Sequence, residues 1–137
     1  MLTSTQKKFF VATSIVILIF AGFIAVLLPY VIDEKPPRIV SISFNQTPIV
    51  NTSITIQVNA VDDSRIVSAE INYRIKEGSW ISDEMKKYFI ICCPPRFIIR
   101  MGPFQEVGIQ VEFYFRIKDS HNNELITDTY SIEIVSA

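Results

Sequence analysis

The sequence predicts an all-β fold, a single antiparallel β-sandwich of about seven strands, preceded by one N-terminal transmembrane α-helix. Two observations lead to this prediction. Residues 9–32 contain no Asp, Glu, Lys, Arg or His, whereas apolar and polar residues alternate along several stretches after Arg38. About a hundred residues follow Arg38, which is near the usual size of a domain with one hydrophobic core.

The apolar run sets the predicted domain boundaries. Lys7 and Lys8 precede it, Asp33 follows it, and a helix of this length covers the roughly 30 Å hydrocarbon core of a bilayer. A cleaved secretory signal is the alternative, but the run is long for a signal sequence and lacks a small-residue cleavage site. We therefore expect a cytoplasmic tail at residues 1–8, a transmembrane helix at 9–32, a linker at 33–37 and an extracellular domain at 38–137.

The charges beside the run predict its orientation. Basic residues favour the cytoplasmic side, so Lys7 and Lys8 place the N-terminus inside and the C-terminal domain outside. Pro36 and Pro37 stiffen the linker because neither can continue a helix. The expected location is the cell membrane, with a single span, and the lipid bilayer is the first predicted partner.

Strands are predicted where apolar residues recur at every second position. The clearest case is 109–118, which places Ile109, Val111, Phe113, Phe115 and Ile117 on one side. In chain order the expected strands are 38–44, 54–60, 69–76, 87–93, 96–101, 109–118 and 129–135. Turn-forming residues separate these stretches and no amphipathic helix of useful length interrupts them, which disfavours an α/β fold.

Several motifs occur along this domain in a characteristic order. They are Pro36-Pro37-Arg38-Ile39, the turn Asp62-Asp63-Ser64-Arg65, then Tyr73, Trp80 and Met85, the aromatic strand 111–118, the turn Asp119-Ser120-His121-Asn122-Asn123, and Tyr130. In this order they resemble immunoglobulin-like and fibronectin type III-like modules of archaeal and bacterial surface proteins. The resemblance covers nearly the whole domain and implies a sandwich that serves as a spacer, an adhesin or a carbohydrate-facing domain. Where such modules have glycine in the second turn, this chain has Asn122, which tolerates a positive φ.

Cys92 and Cys93 are adjacent in the sequence and precede Pro94 and Pro95. Neighbouring residues on a strand point to opposite faces, so this pair cannot join two sheets. Four interpretations stay open: a strained disulfide within the pair, a bridge to another chain, a pair of metal ligands, and two small apolar residues that end a strand. Cys92 and Cys93 are therefore a candidate redox pair.

The sequence indicates neither an enzyme nor a cofactor. Its one histidine, His121, lies in a turn of Ser, Asn and Asp, and no nucleophile motif occurs. A weak calcium candidate arises because an immunoglobulin-like topology brings two turns to the same end of the sandwich. Its oxygen donors would be Asp62, Asp63, Asp119, Asn122 and Asn123. No Asp-x-Asp-x-Asp-Gly loop supports this site, so no metal is predicted.

Charge narrows the range of partners. The chain has 13 basic and 14 acidic residues and a formal net charge of −1. Nucleic acid is disfavoured because phosphate binding needs a clustered basic face and these basic residues are scattered. No small-molecule substrate is indicated either.

Two features of the predicted loops point to surface roles. Asn45 and Asn51 begin glycosylation sequons, and Asn51 is the better candidate because Pro48 follows the first sequon. Trp80 lies in a predicted loop, at the end of the sandwich far from the membrane, and tryptophan is a frequent interface anchor. The alternative is that Trp80 folds back over the sheet edge as part of the core.

Two functional hypotheses follow. The favoured one is a non-enzymatic, membrane-anchored surface module with a structural or protein-binding role, in adhesion or in contact with another envelope or membrane protein. The alternative is a component of an archaeal filament system, either a stator-like protein of the archaellum or a pilin-like subunit. Phe9 disfavours the pilin version, because the resemblance to pilins calls for a small residue between the basic pair and the apolar run.

Overall fold

The computed structural model describes residues 16–19, 34–89 and 93–137. The chain divides into two compact units, Met1–Asp33 and Glu34–Ala137. Residues 16–19 are helical, and most of the predicted tail and transmembrane helix (1–8 and 9–32) lies outside the described residues, as does Cys92. Within the described ranges, no helix has both the length and the apolar character needed to cross a bilayer.

The second unit consists of two antiparallel sheets. Its strands are β1 (Arg38–Phe44), β2 (Ile54–Val61), β3 (Ile66–Ile75), β4 (Ile81–Glu84), β5 (Lys86–Tyr88), β6 (Arg96–Met101), β7 (Gln110–Asp119), β8 (Glu124–Ile126) and β9 (Tyr130–Glu133). The first sheet has the order β1-β2-β6-β5 and the second has the order β4-β3-β7-β8, with β9 also paired to β7. The predicted all-β class is confirmed.

The alternating pattern of the sequence becomes the two faces of each sheet. Along β2 and β7 every second residue is buried, because side chains of a strand point alternately to opposite faces. The inward residues of both sheets form one hydrophobic core. At the margin of this core, the partly exposed Phe44 of the first sheet contacts the buried Phe113 of the second, with ring centroids 6.1 Å apart.

The prediction of about seven strands was too low, since the described residues form nine. Strand β4 begins next to Trp80, between the expected strands 69–76 and 87–93, and β8 begins directly after the expected turn 119–123. Both are edge strands of three or four residues without a regular burial pattern, so no alternation marks them in the sequence. Strand β5, Lys86–Tyr88, covers only the start of the expected strand 87–93.

The loops gather at the two ends of this unit. At the end where β1 begins, Ser120 N–H donates to the Arg65 carbonyl (2.8 Å) and Ala60 N–H donates to the Pro95 carbonyl (3.4 Å). At the other end, Asn51 N–H donates to the Phe104 carbonyl (2.7 Å). The expected grouping of turns 62–65 and 119–124 at one end is therefore confirmed.

Candidate functional site

The outward face of the second sheet carries a cluster of aromatic and charged side chains, which we call the Trp80 platform. The pairing of β3 with β7 sets Arg74 opposite Glu112 and Asn72 opposite Tyr114. These residues face outward because the residues between them, Ile71 and Tyr73 on β3 and Phe113 and Phe115 on β7, pack in the core. Trp80 follows in the chain, just ahead of β4.

Trp80 is held in place by two side chains of this sheet. Its ring packs edge-on against Tyr114, with centroids 5.0 Å apart and an interplanar angle of 71°. The Arg74 guanidinium carbon lies 4.6 Å from the centre of the Trp80 ring, within cation–π distance. Trp80 nevertheless stays 40% exposed. The structure thus places it neither in the core nor on a free loop, but against the outside of the sheet.

An ion pair fixes the arginine of the platform. Arg74 Nε donates to Glu112 Oε2 at 2.6 Å, and each of the two side chains is about 30% exposed (30% and 31%). A charged hydrogen bond of this length restrains the guanidinium plane. The aromatic ring, the cation and the carboxylate are therefore arranged before any partner arrives.

Asn72 lies on the same outward face but is only 7% exposed. Its amide nitrogen has no hydrogen-bond partner among the described residues. Burying an amide donor without a partner costs about 1–3 kcal/mol. The platform therefore contains an unsatisfied amide donor, that of Asn72, next to Tyr114, which is the residue paired with Asn72 on β7.

The carboxylate of Asp119 organises the turn in which the calcium candidates lie. Asp119 Oδ1 accepts hydrogen bonds from the backbone N–H of His121 (2.7 Å) and Asn123 (2.8 Å), and Oδ2 accepts one from Asn123 Nδ2 (2.7 Å). The backbone of Asn122 has φ 66°, as expected for an asparagine in the place of a turn glycine. Asp119 is 1% exposed, and its buried carboxylate holds the backbone of this turn together.

Burial alone raises the pKa of the Asp119 carboxyl, because it disfavours the charged form. Hydrogen bonds from Asn123, His121 and Ser64 lower it more when taken together, and the pKa lies below its ordinary value. Asp119 is thus an ionised, fully engaged acceptor that stabilises the turn.

The other calcium candidates are arranged differently. Asp62 Oδ2 accepts from the backbone and hydroxyl of Ser64 (3.2 and 2.6 Å), and Asp63 Oδ2 pairs with Lys35 at 3.3 Å on the surface. In the described part of the chain, no three His, Cys, Asp or Glu side chains converge as metal ligands. The weak calcium candidate formed by Asp62, Asp63, Asp119, Asn122 and Asn123 therefore stays a hypothesis.

Both glycosylation candidates lie on exposed loop positions. Asn51 has φ 60° in the turn before β2, and its side chain is exposed. Asn45 is also exposed, but its Oδ1 accepts a hydrogen bond from Thr55 N–H at 3.2 Å. The geometry leaves Asn51 as the more accessible acceptor.

Cys93 is exposed and lies directly ahead of Pro94 and Pro95. Because Cys92 lies outside the described residues, the candidate redox pair stays a prediction. His121 is exposed at the tip of its turn, where its backbone, rather than its ring, bonds Asp119.

Sequence reasoning selected Trp80 but missed its partners Arg74, Glu112 and Tyr114. They lie on the polar side of strands whose apolar side attracted the prediction. One signal was available: two long alternating strands with Arg on one and Glu on the other predict a cross-strand ion pair once their register is known. That register depends on pairing residues 38 positions apart in the chain.

Comparison with known proteins does not assign this chain to a family. No family model and no curated protein matches the chain. Among solved structures, the bromine derivative of BhCBM56 is similar at 10% identity and TM-score 0.48, covering 74% of this chain and 97% of that one. A β-1,3-glucan-binding domain of carbohydrate-binding module family 56 is similar at 11% identity and TM-score 0.45, covering 69% and 100%. Similarity at this level does not indicate a shared ligand.

Proposed function

We propose that this protein is a non-enzymatic binding module, anchored in the cell membrane with its β-sandwich outside, which contacts an envelope protein through the Trp80 platform. The observation that supports the proposal best is the position of Trp80. An indole ring that Arg74 and Tyr114 hold against a sheet, yet leave 40% exposed, has the form of a binding surface.

The energetics of interfaces support the same surface. Trp, Tyr and Arg are the residue types that contribute most to protein interfaces, and here one of each lies in a single cluster. Because the Arg74–Glu112 ion pair and the ring contacts already exist, binding would order few side chains, and less entropy would be lost. Truncating an anchor of this kind costs about 2 kcal/mol or more, roughly a 30-fold loss of affinity.

The immunoglobulin-like assignment is part of this proposal, and the strand order supports it. In such domains strands A, B, E and D form one sheet and C, F and G the other. Here β1, β2, β6 and β5 occupy the A, B, E and D positions, while β3 and β7 correspond to C and F. Strands β8 and β9 share the G position beside β7, and β4 is an additional edge strand.

The apolar run at residues 9–32 supports the anchor, and Lys7 and Lys8 support the orientation. In that orientation the bilayer is a partner of the helix, and the β-sandwich lies in the compartment of the envelope. A stator-like role in an archaeal filament system would use the same arrangement, with a filament protein as the partner.

A glycan is the second candidate ligand, and the exposed ring of Trp80 on the outward face of the second sheet favours it. A sugar ring can lay its C–H face on the exposed indole of Trp80, since the ring face is negative and C–H groups are positively polarised. The Arg74 guanidinium lies over that ring and bonds the Glu112 carboxylate, so a guanidinium and a carboxylate are available to bind hydroxyls of the sugar.

The experiment compares two aromatic residues of similar exposure. Full-length protein in detergent is immobilised through a tag at its N-terminus and incubated with an envelope extract. Trp80→Ala is compared with Tyr88→Ala, a residue 43% exposed on β5 of the other sheet. We expect Trp80→Ala to reduce the retained component by about tenfold or more and Tyr88→Ala to leave it unchanged.

Pretreatment of the extract separates the two ligands. Loss of the retained component after protease supports a protein partner, and loss after periodate oxidation supports a glycan. Equal retention by wild type and a folded Trp80→Ala variant would refute the platform as the binding surface.

A further inference from the structure

The edge of β3 is incompletely paired along its first half. Strand β3 runs from Ile66 to Ile75, but β4 pairs with it only from Glu70 to Tyr73. From Ile66 to Ser68, no described strand pairs with β3 on that side, and the pairing of β3 with β7 shifts register between Ile66 and Ser68. An open strand edge of this kind can accept a further strand through its backbone N–H and C=O groups.

The chain leaves β3 gradually after β4, which gives the gap a wedge shape. The Met85 backbone N–H donates directly to the Ala69 carbonyl at 2.8 Å. Only two residues later, the whole Lys87 side chain is needed to reach the Ile66 carbonyl, with Nζ at 2.7 Å. The distance between the two backbones therefore increases from Ala69 towards Ile66.

The gap is an open groove of about 380 Å³. One wall is the β3 edge with Val67, which is 52% exposed, and the opposite wall is the segment 84–87. Phe97, buried in the core, also lines it. The groove thus combines an apolar base with the edge of β3, where a side chain rather than a neighbouring strand bonds the Ile66 carbonyl.

The charges at the groove are mainly positive. Arg65, Lys86 and Lys87 lie on or beside it, and none of them forms an ion pair with a carboxylate of the described residues. Burial, and then the charge of Arg65, lower the pKa of Lys87. Glu84 lines this groove, and Asp62, whose carboxylate accepts from Ser64, lies with Arg65 at the adjoining one; neither acid forms an ion pair with the three cations.

We propose that this groove binds an extended acidic segment of a partner protein, which adds to β3 as a short strand beside residues 66–68. Such addition takes affinity from the backbone ladder and selectivity from alternate side chains. A backbone N–H of the segment would take over the Ile66 carbonyl. The Lys87 ammonium would then move to an acidic side chain of the segment, with Arg65 and Lys86 nearby. This site is separate from the Trp80 platform and does not depend on it.

The test uses full-length protein in detergent micelles and three fluorescein-labelled hexapeptides, with affinity measured by fluorescence anisotropy. The first peptide alternates Glu and Val, the second has Lys in place of Glu, and the third is the Glu peptide with alternate amides N-methylated. We expect the first peptide to bind about tenfold tighter than either of the others. Equal binding of the Lys peptide would overturn the charge argument, and equal binding of the N-methylated peptide would overturn strand addition.

Variants then locate the site. Lys87→Gln and Lys86→Gln should each weaken the Glu peptide about fivefold, whereas Lys76→Gln, just past the other end of β3, should leave affinity within about twofold. Lys86 is exposed and makes no bond to β3, so its variant remains informative if Lys87→Gln unfolds. Equal weakening by Lys76→Gln would overturn the site. A second copy of the chain is the other molecule that could occupy the groove. Light scattering on the protein without peptide tests this, and a dimer that Lys86→Gln abolishes would overturn the proposal of an acidic partner segment.

Discussion

Replacing Phe113 by alanine tests the two-layer architecture most directly. Phe113 lies at the centre of β7, is 0% exposed, and its ring lies near three others: Phe44 at 6.1 Å, Phe115 at 5.7 Å and Tyr130 at 5.5 Å. Its neighbour Tyr114 points to the opposite face and contacts one aromatic ring, that of Trp80. The two residues are adjacent on one strand, so they form a matched pair.

The expected costs differ severalfold. Phe113→Ala removes a fully buried ring and leaves a cavity, which costs about 3–5 kcal/mol of unfolding free energy. Tyr114→Ala removes one aromatic contact and a side chain that is only partly buried, which costs about 1 kcal/mol of unfolding free energy. Since about 1 kcal/mol shifts the midpoint of a domain of this size by roughly 4–8 °C, the Phe113 variant should melt roughly 10–40 °C lower.

The assay is urea and thermal unfolding of the Glu34–Ala137 unit, followed by circular dichroism, with the wild-type unit as reference. If Phe113→Ala is unfolded at the outset, Phe113→Leu replaces it, with an expected cost of about 1 kcal/mol or slightly more. Equal losses for Phe113→Ala and Tyr114→Ala would refute the reasoning. They would mean that both faces of β7 are covered to the same extent.

Three further predictions concern the turn at Asp119, glycosylation at Asn51 and the orientation of the chain. Asp119→Asn should cost about 1–3 kcal/mol at neutral pH. Because the folded pKa of Asp119 lies below its unfolded value, this contribution is complete above the unfolded pKa and disappears as the pH falls through the folded pKa. The unfolding free energies of the wild type and of Asp119→Asn should therefore become equal in acid. A difference between them that persists there would contradict the role of the carboxylate. In a host that glycosylates sequons, mass spectrometry should show that Asn51→Gln lacks the glycan mass that the wild type carries. Protease added to protoplasts should digest the domain after Arg38. Complete protection would reverse the proposed topology.

Most of the strands whose bounds the sequence predicted closely have a buried face, and among them β1, with two half-buried residues and no buried one, is the exception. The bounds of β1 and β6 were predicted correctly, and those of β2 and β7 to within one residue. In β7 the apolar residues alternate without interruption, since each inward position must fill the core. Strands β4 and β8 were not predicted, because their residues are mostly exposed and only the backbone of a neighbouring strand selects their conformation.

The candidate site likewise contains residues that the sequence could select and contacts that it could not. Trp80 could be selected from its residue type and its loop, and Asp119 from its place in a turn. The contact of Arg74 with Trp80, and the hydrogen bonds that surround Asp119, could not be selected. They depend on which strands pair and in which register, and the local pattern carries no information about that.

From the sequence alone, the alternation after Arg38 determined an all-β domain and the side of each long strand that is buried, because burial has a period of two along an extended chain. Only the tertiary structure decided which polar residues meet. It placed Arg74 opposite Glu112 and Asn72 opposite Tyr114, and it left the first half of β3 without a neighbouring strand on the β4 side in the described part of the chain. Hydrophobic burial is non-directional and can be predicted position by position. Ion pairs, ring contacts and open strand edges need a specific partner, and only the pairing of distant strands supplies it.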